Sequence, residues 1–399
     1  MKSNSFIKKH PTAAIVFFNV LLLFFIFIVF EIILRIFTPG WLDDTMNYLK
    51  TGKGFGYGND SNWKIKYKDG NFYSFTPNST FKVYHSEYEN TVHINLLGGR
   101  STVAPDEKVD TANLIPFIGD SFVMGVGVED SENMVSLIKK STRLNFLNLG
   151  VSGTCIPRQR MIINRRYNDL GNPNFVIYGF FIGNDFDDIR NLFLTKSPLS
   201  DSIRFKERTL LKNQPNTTTV SGKINNYISN NNLLKRIYFL HYIKQKILNI
   251  KKKRHDKNFD NMEPVYHMLD SSNTKYIQQA RTLIDQEIEL LSKEPYEPIV
   301  IIIPDRSQMD NSLRKKLADD YNINENKISI FLPQQILKEA LHKYKIKYID
   351  PTDCIISHFN EGMLYYKIDN HFTKLGHKVI SECISDSLRT MINKTGRKN

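Results

Sequence analysis

Asn113-Leu-Ile-Pro-Phe-Ile-Gly-Asp-Ser-Phe122 is the stretch on which the reading of the fold turns. Its apolar run, Leu114 to Ile118, stops at Gly119 and is followed by Asp120 and Ser121. Such a run, closed by glycine and followed by a helical pattern, reads as a buried strand entering a turn. Open α/β sheets collect ligands at the carboxyl ends of their strands, so a serine on that turn is a candidate nucleophile. The same serine would also serve as a helix N-cap, and the tripeptide alone does not choose between the two.

Working outward, the pattern repeats. A helix is expected near Glu132–Thr142, a second strand at Asn145–Leu149, and a helix over Arg158–Asp169. Further apolar runs at 175–182, 298–303 and 347–350 are followed by Gly183-Asn184-Asp185, Pro304-Asp305 and the C-terminal elements. Helices are expected at Tyr276–Ser292, at Pro333–Tyr344 and from Thr373 onward, the last with Val379, Ile380, Cys383, Ile384, Leu388, Met391 and Ile392 on one stripe. Val/Ile-rich runs separated by helices predict a parallel sheet buried on both faces, an α/β fold. Before it, Trp41 to about Lys108 shows no helical period. Thr80–Tyr84 and Thr91–Asn95 alternate as half-buried strands do, so this part reads as a stalk and a small β-rich lead-in.

Two segments stand outside the sheet pattern. Ala13 to Leu34 is apolar except for Asn19 and Glu31, and at about 1.5 Å per residue it reaches roughly 33 Å, enough to cross a bilayer core. The run is too long for a cleavable signal and has no small-residue cleavage site. Lys2, Lys8 and Lys9 precede it, so the reading is an uncleaved signal anchor, N-terminus cytoplasmic and the rest outside. The second segment, 194–274, interrupts the sheet pattern. In it Leu233, Ile237, Leu240, Ile243, Ile247 and Ile250 form an amphipathic helix behind Asn232, and seven Lys/Arg against one Asp crowd Lys244–Lys257. That patch carries +6 of the chain's +13. It fits anionic lipid, an acidic polymer, or a solvated helix face. Nucleic acid is not expected as a partner of a domain outside the cytoplasm. The three cysteines make no disulfide framework or metal spacing. Cys354 and Cys383 are expected as buried free thiols, with a bridge between them as the alternative.

Ester chemistry needs a nucleophile, a base, a group that orients the base, and donors for the oxyanion. Ser121 can attack and His371 can take its proton. Asp369, two residues earlier on an extended loop, can bond the histidine's Nδ1–H. The backbone N–H groups of Ser121 and Gly153 and the Asn184 amide would serve as oxyanion donors. His377 is the competing histidine, but it lies in the helical period and has no acid two or three residues before it. Asp120 is expected to cap the turn. Asp185, Asp187 and Asp188 read as helix-start electrostatics more readily than as a cation site. Arg306 either faces the cleft toward an anionic substrate or lies at the surface.

Phe117-Ile-Gly-Asp-Ser-Phe122, Asn148-Leu-Gly-Val-Ser-Gly153, Phe181-Ile-Gly-Asn-Asp185 and Asp369-Asn-His-Phe-Thr-Lys-Leu-Gly-His377 together resemble the four blocks of the SGNH hydrolases, the GDSL esterase/lipase superfamily. The resemblance covers about 113–190 and 298–394 and follows the family's order. It implies a three-layer α/β/α sandwich of the flavodoxin-like type and no metal or cofactor. It assigns Ser121 as nucleophile, Asp369 and His371 as acid and base, and Gly153 and Asn184 as oxyanion donors. Asp-x-His here departs from the Asp-x-x-His of many members and is similar to a subset acting on envelope polysaccharides. Asn95-Leu-Leu-Gly-Gly-Arg100 is similar to a lead-in seen in anchored members.

The expected layout is a cytoplasmic tail 1–12, anchor 13–37, stalk and lead-in 38–108, hydrolase-like domain 109–394 and tail 395–399. The expected activity is a membrane-anchored serine esterase on acyl, above all acetyl, esters of an extracytoplasmic carbohydrate. An O-acetyltransferase with the same triad and a non-catalytic carbohydrate-binding or assembly protein are the alternatives.

Overall fold

A computed structural model describes residues 11–37, 56–57, 64–66, 73–85, 87–102, 109–194, 237–240, 242, 274–321, 324 and 327–395. The chain divides into two units, Met1–Phe55 with Leu211–Asp260, and Gly56–Leu210 with Asn261–Asn399.

In the first unit α1 (Pro11–Ile36) is long and apolar enough to cross a membrane. Its one acidic side chain, Glu31, pairs with Arg35 at 2.7 Å and accepts from the backbone N–H of Tyr238 (3.1 Å) and Phe239 (2.8 Å). Residues 238–240 and 242 are helical, as the 3-4 spacing predicts. The remainder of that expected helix, Asn232 and the 244–257 patch lie outside the described residues.

The second unit opens with β1 (Gly56–Tyr57), β2 (Lys64–Lys66), β3 (Tyr73–Phe75), β4 (Ser79–Tyr84) and β5 (Glu89–Ile94). β4 and β5 form an antiparallel hairpin with alternating burial, as their pattern predicts. Then follow β6 (Ile115–Ile118), α2 (Ser121–Met124), α3 (Met134–Thr142), β7 (Phe146–Asn148), α4 (Ile156–Arg166), β8 (Phe175–Phe181) and α5 (Asp185–Leu194). After the interruption come α6 (Thr274–Leu291), β9 (Glu297–Ile303), α7 (Asn311–Tyr321), α8 (Leu332–Lys343), β10 (Lys347–Ile349), α9 (Thr352–His358) and α10 (Lys374–Thr395). Helices α7 and α9 are additions to the expected elements.

The five strands pair in parallel in the order β10-β9-β8-β6-β7. By sequence this is 2-1-3-4-5, the doubly wound order whose switch point falls between its first and third strands, here β6 and β8. The continuous apolar runs are explained by burial on both faces. On β9, Val300 and Ile302 join one core with β8 residues Val176, Tyr178 and Phe180 and with α4, α6 and α8. Ile299, Ile301 and Ile303 join the other, with Phe175, Ile177 and Phe181 and with α3, α9 and α10. The result is a three-layer α/β/α sandwich with one long apolar helix before it. Arg100 bridges Ile94 and Asn148, which fastens the β4–β5 hairpin to the edge strand β7.

Cys354 on α9 and Cys383 on α10 form a disulfide, which corrects the expectation of free thiols. Helix periodicity located Cys383 on an apolar stripe but gave no helix for Cys354. It could not show that α9 and α10 bring their Cα atoms to 6.0 Å, within bridging reach. His358, one turn after Cys354, comes within 4.8 Å of both sulfurs, but sulfurs bonded to each other are not a ligand set. Cys155 is buried and unbridged. Closing a loop across 29 positions removes freedom from the unfolded chain worth about 3.5 kcal/mol. The Cys354→Ser/Cys383→Ser double variant should lose that much in urea denaturation. A loss under about 0.5 kcal/mol would mean the bridge adds no stability.

Candidate active site

Ser121 sits at the first position of α2, directly beyond the carboxyl end of β6 at the switch point. The helix cap is supplied by its neighbour: Asp120 Oδ1 accepts from the Phe122 N–H at 2.9 Å. The serine hydroxyl is thereby left to the cleft. His371 Nε2 lies 2.7 Å from Ser121 Oγ, and His371 Nδ1 lies 2.6 Å from Asp369 Oδ2. With its proton on Nδ1 the imidazole donates to the carboxylate and accepts from the hydroxyl. Both side chains are nearly covered, 15% and 11% exposed. The Phe122 ring, stacked on Phe181 at 3.9 Å, lies 5.0 Å from the imidazole and supports it from the core side.

The loop after β7 is tied to the turn that carries Ser121. Val151 N–H and Thr154 Oγ1 donate to the Gly119 carbonyl at 2.9 and 3.0 Å. Asn148 Nδ2 donates to the Val123 carbonyl at 2.8 Å while its Oδ1 accepts from the Gly150 N–H at 3.0 Å. This lashing carries Gly153 to the surface at φ +71°, with nothing within 4 Å of where a Cβ would stand. Its N–H is open to approach there. Asn184, half-buried, occupies the turn between β8 and α5. Ser121, Gly153 and Asn184 thus stand beyond the ends of β6, β7 and β8, the three adjoining strands of one sheet edge.

The acidic groups beneath are unlike the one on the surface loop. Burial pushes the Asp120 carboxyl up to about 7, and burial with the neighbouring charges of Asp120 and Asp188 drives Asp185 well above its ordinary value. Asp185 Oδ2 accepts from the Phe181 N–H at 3.0 Å, so it braces the end of β8. For Asp369, burial alone would raise the carboxyl. Hydrogen bonds from His371 and Tyr88 and the charge of the imidazole overcome it and hold the group below its ordinary value. Asp369 is the acid suited to stay ionised beside an imidazolium.

His377 has a different place. It is 1% exposed, its Nδ1 accepts from the Met134 N–H at 3.3 Å, and burial lowers its pKa to about 3. It is a neutral core histidine. Arg306 neither reaches for a substrate nor lies idle at the surface. Its Nε and Nη2 donate to Asp310 at 3.1 and 2.8 Å, and Nη1 donates to the carbonyls of Tyr366 (3.2 Å) and Lys367 (2.9 Å), the backbone just before Asp369. Among the described residues, sequence patterning passed over Arg100, Glu87 and Tyr88. Each acts on atoms far away in the chain, and no spacing announces that.

No protein-family model matches the chain, and a search of curated proteins finds no match. Similar solved structures include a member of the lipolytic protein G-D-S-L family from Veillonella parvula (12% identity, 68% of this chain and 96% of that one, TM-score 0.34). Others are a lipase/acylhydrolase from Enterococcus faecalis (11%, 70% and 96%, TM-score 0.35) and an acetylxylan esterase from Geobacillus stearothermophilus (10%, 70% and 94%, TM-score 0.32). At such values the role of each residue is left to the geometry.

Proposed function

We propose that this chain is a serine esterase of the SGNH type that forms an acyl-enzyme on Ser121. The observation that carries the reading is the unbroken chain Ser121 Oγ, His371 Nε2, His371 Nδ1, Asp369 Oδ2, with links of 2.7 and 2.6 Å. His371 takes the hydroxyl proton as Oγ adds to the ester carbonyl, and Asp369 stabilises the imidazolium that results. The oxyanion is met by the N–H groups of Ser121 and Gly153 and the Asn184 amide. Collapse expels the alcohol, which takes the proton from His371. Water, activated by the same base, then releases the acid. A sugar hydroxyl in place of water would make the reaction a transfer, and the acceptor decides between them.

The acyl group in this reading is acetyl, and the open approach to Gly153 leaves room for a large carbohydrate alcohol. The apolar α1, the lysines before it and the Cys354–Cys383 bridge support an anchored domain in an oxidising compartment outside the cytoplasm.

The full chain in detergent should hydrolyse p-nitrophenyl acetate, and a fluorophosphonate should label Ser121, located by mass spectrometry. Adding acetylated oligosaccharide together with a free acceptor separates the two fates, free acetate reporting hydrolysis and acetylated acceptor reporting transfer. No turnover on any acetyl ester, with no label on Ser121, would sink the reading and favour a non-catalytic binding role.

A further inference from the structure

The acid and base sit on one exposed loop, and a two-residue spacing does not hold a loop still. Two elements clamp it. Arg306 takes the carbonyls of Tyr366 and Lys367 from one side. From the other side comes the turn of the β4–β5 hairpin, some 280 positions earlier in the chain. Glu87 Oε1 accepts from the Lys367 N–H at 2.8 Å, and Oε2 accepts from the N–H groups of Ile368 and Asp369, both at 2.9 Å. Three successive backbone N–H groups turned onto one carboxylate make a nest, and bonds to an ionised acceptor are the stronger kind.

The next residue completes the grip. Tyr88 OH donates to Asp369 Oδ2 at 2.6 Å, the same oxygen that His371 Nδ1 meets. The tyrosine is itself fixed, its ring 5.1 Å from that of His85 and 4.7 Å from that of Tyr366. Tyr366 OH in turn donates to the Gly127 carbonyl at 2.7 Å, on the loop that follows the nucleophile helix. Gly127 has φ +91°, and a Cβ there would stand 2.7 Å from the Tyr366 ring, so the two tyrosines close over it only because it is glycine.

We propose that Glu87 and Tyr88 are positioning residues of the triad, so that the β-rich lead-in is part of the active site and not a spacer. The proposal rests on the esterase reading. Glu87 sets the backbone of 367–369, and Tyr88 fixes which carboxylate oxygen faces the imidazole. Neither touches the substrate, so their loss falls on the chemical step and leaves binding alone. The hairpin is fastened to β7 through Arg100, which links loop geometry to the sheet edge that carries Gly153.

The test uses the full chain in detergent with p-nitrophenyl acetate and a fluorophosphonate. Tyr88→Phe should lower kcat about ten-fold and Glu87→Gln about ten- to a hundred-fold, with KM within about two-fold of wild type and phosphonate labelling slowed in step. The melting temperature of Tyr88→Phe should stay within about 2 °C of wild type, because only a hydroxyl is removed. Wild-type kcat in both variants, in an enzyme that Ser121→Ala inactivates, would overturn the positioning role and leave the esterase reading intact. A fall in kcat matched by an equal fall in folded fraction would assign a purely structural role and also overturn it. A wild-type protein that neither turns over ester nor takes up the label would overturn the esterase reading, and this proposal with it.

Discussion

Ser121→Ala is expected to lower kcat for acetyl esters by about a million-fold and to leave the fold unchanged. The size follows from what is removed. Without the hydroxyl there is no acyl-enzyme, and what remains is the oxyanion donors and the binding of substrate beside His371. The silence of the fold follows from local structure. The cap of α2 belongs to Asp120, which receives the Phe122 N–H, and the serine hydroxyl's partner is His371 Nε2 in the cleft. A serine that merely capped a helix would behave in the opposite way, with stability falling by about 1 kcal/mol and activity surviving. Measuring kcat and the urea midpoint on one preparation separates the two. Retained turnover with a lowered midpoint would remove Ser121 from the chemistry.

The readability of the sheet and the opacity of the clamp have one cause, the range over which each signal acts. β6, β8 and β9 are buried on both faces, so their runs are apolar throughout and announce themselves within a few residues. Parallel topology then puts the carboxyl ends of β6, β7 and β8 at one end of the sheet. The turns at Ser121, Gly153 and Asn184 could therefore be grouped before any coordinates, and the Asp369-x-His371 pair added from its spacing. Glu87, Tyr88 and Arg306 are different. Their partners are backbone N–H and C=O groups of residues 366–369 or one carboxylate oxygen, and backbone atoms leave no trace in side-chain pattern. The Cys354–Cys383 bridge was hidden for a related reason. It depends on the packing of α9 against α10, and α9 is a seven-residue helix too short to show a period.

Arg100 is the extreme case of a residue whose weight is invisible locally, and Arg100→Ala should cost about 3 to 5 kcal/mol of folding stability. Its side chain is wholly buried, in a segment without regular pattern. The guanidinium donates from Nε to Asp130 Oδ1 at 2.8 Å, from Nη1 to the carbonyls of Met124 (2.8 Å) and Gly125 (2.6 Å), and from Nη2 to the carbonyl of Val128 (2.6 Å). The loop that leaves the Ser121 helix is thus wound around one cation. Burial alone weakens the hold on that charge, and Asp130 opposes the loss. Alanine would take a donor from three inward carbonyls, leaving Gly125 with only the long 3.5 Å bond from the Val128 N–H, and would leave Asp130 to His93, through its ring at 2.6 Å and its backbone N–H at 3.4 Å. Lysine should not rescue, because a point ammonium cannot serve four acceptors spread around a planar fork. An apolar replacement of the pair, such as Arg100→Met with Asp130→Leu, often proves neutral for buried ion pairs. Here it should still cost about 2 kcal/mol or more, since the carbonyls of 124, 125 and 128 remain. Urea midpoints for the three variants decide the matter. If the double variant equals wild type, the carbonyl bonds contribute nothing and Arg100 is only a counter-charge. If it falls with Arg100→Ala, the arginine is the organiser of the loop that sets Ser121.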